Sequence, residues 1–180
     1  MTLSLRLVAA VLPWLVLPGT VALQPPPPAP APARGCTAAE HRQFDFWVGD
    51  WDVHVNGKPA GRNRIERLLD GCALMERWEG AGGSRGVSLN MYSPADGQWH
   101  QTWVDGQGGR LALSGTWDQQ TSTMTLSGTT PSRSGGPPVR QQIAWTRRPD
   151  GSVRQHWRSS TDGGQTWTDA FDGIYTKRTP

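Results

Sequence analysis

The sequence predicts an all-β fold, an antiparallel up-and-down barrel of about ten strands behind a short N-terminal helix. Three observations lead there. From Gly49 onward apolar and polar residues alternate with period two, in short runs broken by Gly, Asp, Asn and Pro. The connections SPADG, DGQGG, RPDG and TDGG are turn-like, so consecutive strands pair as hairpins. A meander this long closes on itself, because closure removes the unpaired sheet edges, and a barrel of about ten strands leaves a lumen for a small molecule.

In chain order, residues 1–22 read as a secretory signal peptide. Arg6 precedes an apolar run over residues 7–17, too short for a stable membrane span, and Thr20 and Ala22 supply the small residues of a cleavage site. The first cysteine, Cys36, lies too far from that site for lipid attachment, so the mature chain is expected in the periplasm or outside the cell with no stable membrane anchor. Residues 23–35 form a Pro-rich linker. PPPPAPAPAR favours polyproline II and lacks the donors and large apolar side chains of a core. Residues 36–180 are then one domain, long enough to bury a core.

Thr37-Ala38-Ala39-Glu40 has the form of a helix capping box, and Phe44, Trp47 and Val48 follow at helical spacing. Ten strands are expected near 51–55, 63–68, 73–79, 86–92, 99–104, 110–117, 123–128, 139–146, 153–158 and 167–177, with one long loop over 129–138. In an exported chain the only two cysteines suggest a Cys36–Cys72 disulfide, two free buried thiols being the alternative. The 18 basic and 15 acidic side chains are interspersed without a Lys/Arg cluster, so nucleic acid is not an expected partner.

Tryptophan is the strongest compositional signal, nine of the ten lying beyond residue 22. Each buried indole N–H wants an acceptor, so tryptophans beside amides and carboxylates suggest a cavity with apolar walls and polar handles; the plainer reading makes them core fillers or rim residues. A four-residue PADG turn pairs Tyr92 with Trp99, Asn90 with Gln101 and Ser88 with Trp103 on one face, and Val87 with Val104, Leu89 with Thr102 and Met91 with His100 on the other. The turn at RPDG pairs Thr146 with Val153, Ala144 with Gln155 and Gln142 with Trp157. A simple core would turn the aliphatic face inward. A binding lumen would take the Trp and amide face, which is favoured because Ser88 and Ala144 leave room beside the rings. The aliphatic outer face then needs cover, from the N-terminal helix or from a second copy in a homodimer.

Gly49-Asp50-Trp51, opening the first strand after a short helix, resembles the Gly-x-Trp signature of lipocalins and wider calycins. The resemblance implies that Gly49 and Trp51 close one end of the barrel and that a basic residue of the last strand, Lys177 or Arg178, packs on the ring. FDFWVGDWDV, GCALMERW, GVSLNMY, WHQTWVD and SSTDGGQTW together resemble an uncharacterised bacterial family of exported, calycin-like proteins, distantly similar to nitrobindin-type haem barrels. That likeness implies a fold and little chemistry. Residues 160–167, STDGGQTW, also match the Asp-box pattern of sialidase propellers; a single copy points to a hairpin device in which Asp162 ties the turn to backbone N–H groups.

No local motif pairs a nucleophile with a base, and the four histidines show no metal-ligand spacing, so neither catalytic nor metal-binding residues are assigned. Haem would need His156 or His100 as axial ligand, yet both sit opposite the face assigned to the lumen, and haem is therefore not expected. The leading expectation is an exported protein that binds a small, partly polar ligand with Glu76, Trp78, Asn90, Gln101, Trp103, Gln155 and Trp157. An enzyme (hydrolase or isomerase) using Glu76 as acid or base in the same lumen is the second reading. A carbohydrate-gripping module, which needs Trp99 and Trp103 outside, is the third.

Overall fold

The computed structural model describes residues 36–132 and 135–178, which belong to one compact unit, Ala33–Pro180. The expected signal peptide and Pro-rich linker lie outside the described residues. All ten expected strands form: β1 Gly49–Val55, β2 Lys58–Leu68, β3 Ala73–Gly80, β4 Arg85–Ser93, β5 Gln98–Asp105, β6 Arg110–Asp118, β7 Thr123–Thr130, β8 Val139–Arg147, β9 Val153–Ser160 and β10 Thr168–Lys177. Each pairs antiparallel with its chain neighbour, and β1 pairs with β10, so the barrel is closed. Alternation is the cause. In β1 Trp51 and Val53 turn inward, in β7 Met124 and Leu126, and in β8 Gln141, Ile143 and Trp145, while the residues between them are more exposed.

The β4–β5 register is the one expected, with Ser88 opposite Trp103, Asn90 opposite Gln101 and Tyr92 opposite Trp99. The β8–β9 register is not. Arg148 and Ser152 close a three-residue loop over Pro149, Asp150 and Gly151, through a bond from Arg148 N to Ser152 O of 2.9 Å with Gly151 at φ 81°. Trp145 then faces Gln155 and Ile143 faces Trp157, one position from the expected pairs. A shift of one residue turns every side chain of a strand over, so Gln142 and Ala144 are not the inward partners of Trp157 and Gln155.

The N-terminal helix is also corrected. Residues Ala39–Arg42 and Asp45–Trp47 make two 3-10 turns, and no side chain caps the first of them. So short a segment takes its geometry from packing more than from its own hydrogen bonds. Here the packing is aromatic: Phe44 stacks on Trp47 at 4.9 Å between centroids and meets the rings of Trp99 at 5.5 Å and Trp145 at 5.2 Å, edge-on. The segment therefore fills one end of the barrel as a plug. The Cys36–Cys72 disulfide, with a Cα–Cα distance of 4.8 Å, ties the plug to the β2–β3 connection. Arg42 bonds Cys36 O at 2.8 Å and Gly71 O, and Arg67 pairs with Asp45 at 2.8 Å.

Because the plug sits at the barrel end, it does not cover the aliphatic outer face as expected. Leu89 and Met91 on β4 are 44% and 45% exposed, with Val87 and Val104 beside them. Among the described residues no helix is long and apolar enough to cross a membrane.

Candidate functional site

Above the plug the barrel holds a cavity of about 300 Å³. Trp145 is shared by both regions. Its ring packs on Trp47 at 5.3 Å and Phe44 below, and lines the cavity above, so it is the cavity floor. Trp78, Trp103 and Trp157, all half-buried, make the walls together with Phe171 and Tyr175. Close backbone approach makes room for these rings. A Cβ on Gly86 would lie 2.1 Å from the Trp103 ring, and one on Gly61 2.7 Å from that of Trp78, so glycine on the neighbouring strand lets each indole lie flat against the sheet.

The polar side of the lumen is a continuous network spread over six strands. Asn63 Nδ2 donates to Glu76 Oε1 at 2.7 Å, and Ser88 Oγ donates to Glu76 Oε2 at 2.6 Å. Asn90 Nδ2 donates to Ser88 Oγ at 2.9 Å, and Gln101 Nε2 to Asn90 Oδ1 at 2.9 Å. In the other direction Asn63 Nδ2 reaches Tyr175 Oη at 3.4 Å, and Tyr175 donates to Gln155 Oε1. Amide N–H groups can only donate, so the hydrogens along Gln101, Asn90 and Ser88 all point toward Glu76. Burial pushes the Glu76 carboxyl above its ordinary range, and the donors Ser88 and Asn63 oppose that rise. The same burial, reinforced by the neighbouring carboxyl, raises the Tyr175 phenol well above its ordinary value.

Of the expected site residues, Glu76, Trp78, Gln101, Trp103, Gln155 and Trp157 line this cavity. Asn90 does not. It is fully buried behind the wall, bonding Ser88, Gln101 and Leu74 O, and acts as a support. Sequence reasoning missed Asn63 and Tyr175, which complete the network, and Ile143, Leu111 and Phe171, which complete the wall. Phe171 carried a signal in the sequence: it stands two and four residues before Gly173 and Tyr175 and shares their inward face of β10 by alternation, the register shift lying on its N-terminal side.

At the other end, Trp51 is fully buried, donates to Trp47 O at 2.8 Å and carries the Lys177 ammonium 5.4 Å from its ring centroid. Gly49, at φ 140°, brings the chain past this ring; a Cβ there would lie 3.8 Å from Trp51 Nε1. Of the two basic residues expected to close the barrel it is Lys177 that meets the ring; Arg178, its neighbour in the alternating strand, instead pairs with Asp52 at 3.5 Å. His100 and His156 lie outside the lumen, bonded to Asp96 at 2.8 Å and Asp169 at 2.7 Å. Among the described residues no group of three or more His, Cys, Asp or Glu forms a metal-binding set. Trp99 is buried in the core and Trp103 lines the lumen, so the outward placement that a carbohydrate-gripping surface requires is not met. The Asp-box loop is structural as expected: Asp162 accepts from Ser160 Oγ at 2.7 Å and from the backbone N–H groups of Gln165 and Thr166 at 3.0 Å.

The fold and this geometry define a closed ten-stranded β-barrel with a plugged end and an aromatic, partly polar lumen. No family model and no curated protein matches the chain.

Proposed function

We propose that this chain is an exported, calycin-like protein that holds a small, partly polar ligand in its barrel lumen. The observation that carries the reading is the cavity of about 300 Å³ walled by indole rings and served by one hydrogen-bonded carboxyl. Ligand pockets combine apolar walls with a few placed polar groups, and this volume lies at the lower end of their usual range. The disulfide, together with the apolar leader, supports export. Lys177 over Trp51 supports the calycin kinship.

Glu76 as a general base is the weaker reading. Both carboxyl oxygens are already engaged by Asn63 and Ser88, so neither is presented to a substrate proton. Native mass spectrometry of protein purified from its own cell envelope tests binding directly. A discrete retained mass, lost in Trp103→Ala, is the expected result. Bare polypeptide mass, with no change of tryptophan fluorescence across a panel of small aromatic and amine compounds, would overturn the proposal.

A further inference from the structure

We propose that the lumen selects a small organic cation, a quaternary or protonated amine, seated among Trp78, Trp103, Trp157 and Phe171 against Glu76. The proposal rests on the lumen being a binding site and adds the charge of what binds there. Among the described residues the cavity wall holds one carboxyl and no Lys, Arg or His. An anionic ligand would meet no positive charge and one negative one. A cation would meet indole faces, whose quadrupoles attract positive charge, and a carboxylate with no basic partner in the wall.

The hydrogen-bond directions make the same point. Asn63 can only donate through its Nδ2, so Glu76 Oε1 accepts. Ser88 Oγ already receives Asn90 Nδ2 at 2.9 Å and Gln101 Nε2 at 3.4 Å, so its own hydrogen goes to Glu76 Oε2. Two donors are thus arranged for the ionised form of a carboxyl that burial drives toward the neutral form. A cation in the lumen resolves that opposition, because it favours the carboxylate for which the donors are already set. The groups facing Glu76 are Asn63 from β2, Ser88 from β4 and, as the one other titratable group, Tyr175 from β10, which stays neutral through the working pH range.

The test compares phenyltrimethylammonium with its neutral isostere tert-butylbenzene, by calorimetry and tryptophan quenching, on the mature protein and on Glu76→Gln. The expected result is a preference for the cation on the order of tenfold or more, strengthening as pH rises through the Glu76 titration and lost in Glu76→Gln. The affinity of the parent for tert-butylbenzene should be flat with pH, and a far-ultraviolet circular dichroism spectrum of the variant that matches the parent's shows that the variant is folded. Equal binding of both compounds overturns the cation assignment and leaves the lumen as a site. Failure of both compounds to bind overturns the cation assignment and counts against the binding reading as well.

Discussion

Glu76 makes the folded barrel a stronger proton binder than the unfolded chain, because burial raises its pKa in the native state alone. The sign follows. Well below the ordinary glutamate value of about 4.3 the group is neutral in both states and has no effect. As pH climbs from there through the raised native pKa, ionisation costs the folded state more than the unfolded one, and stability falls. Tyr175 does not intrude, since its pKa is raised above the ordinary phenol value. Glu76→Gln removes this slope but leaves one of the donors Asn63 and Ser88 without its acceptor, a loss of about 1–3 kcal/mol at every pH. The melting temperature of the variant relative to the parent should therefore be more favourable at pH 7.5 than at pH 4. A difference that stays constant across that range would show that Glu76 is not titrating there. The partners of Glu76 were only half legible in the sequence. Ser88 shares the face expected of the β4–β5 hairpin, but Asn63 and Tyr175 are 112 residues apart and meet only because β1 closes the ring between them.

Turns decide what the sequence reveals about each element. The PADG connection closes over four residues and its hairpin was readable to the residue, whereas Gly151 at positive φ lets the second loop close over three residues, one fewer than the four of RPDG, and turns the β8 partners over. A three-residue loop that ends in Gly at positive φ places Ile143 and Trp145 inward. The Asp-box loop was legible because its chemistry is local. Asp162 accepts from Ser160, Thr166 and the backbone of Gln165 and Thr166, bonds that depress its pKa below the ordinary carboxylate range. Trp167 caps the loop, its Nε1 on Gly164 O at 3.1 Å and the Arg158 guanidinium 5.3 Å from its ring centroid. A depressed native pKa stabilises the fold above the ordinary aspartate value and loses that stabilisation as pH falls toward the native one. Asp162→Ala should thus lower the melting temperature at pH 7, and the gap to the parent should shrink by pH 2. A gap that is the same at both pH values would mean that the carboxylate bonds contribute nothing to the fold.

The barrel is asymmetric, with a packed end and a hollow end that holds the cavity. Composition could not show this division, since tryptophan serves both: Trp47, Trp51, Trp99 and Trp145 are buried in the core while Trp78, Trp103 and Trp157 border the cavity. The packed end depends on a segment with little secondary structure of its own, Ala39–Trp47, whose place is fixed by the disulfide and by Arg42 and Asp45. Cys36 and Cys72 are 36 residues apart, so the bond removes the freedom of a loop that encloses the plug, β1 and β2 from the unfolded chain. For a closed loop of this size the stabilisation is about 2–4 kcal/mol. Reduction, or Cys36→Ser with Cys72→Ser, should lower the free energy of unfolding in urea by that amount. The plug also supports the cavity floor, because Phe44 and Trp47 lie against Trp145. When the staple is cut, the aromatic environment of the floor should loosen before the barrel melts, so near-ultraviolet circular dichroism from the tryptophans should be lost at lower urea than the β-sheet signal. In the oxidised protein the two signals should disappear together. If they also coincide after reduction, the plug and barrel form one cooperative unit without the disulfide, and the side-chain bonds of Arg42 and Asp45 suffice to hold the floor in place.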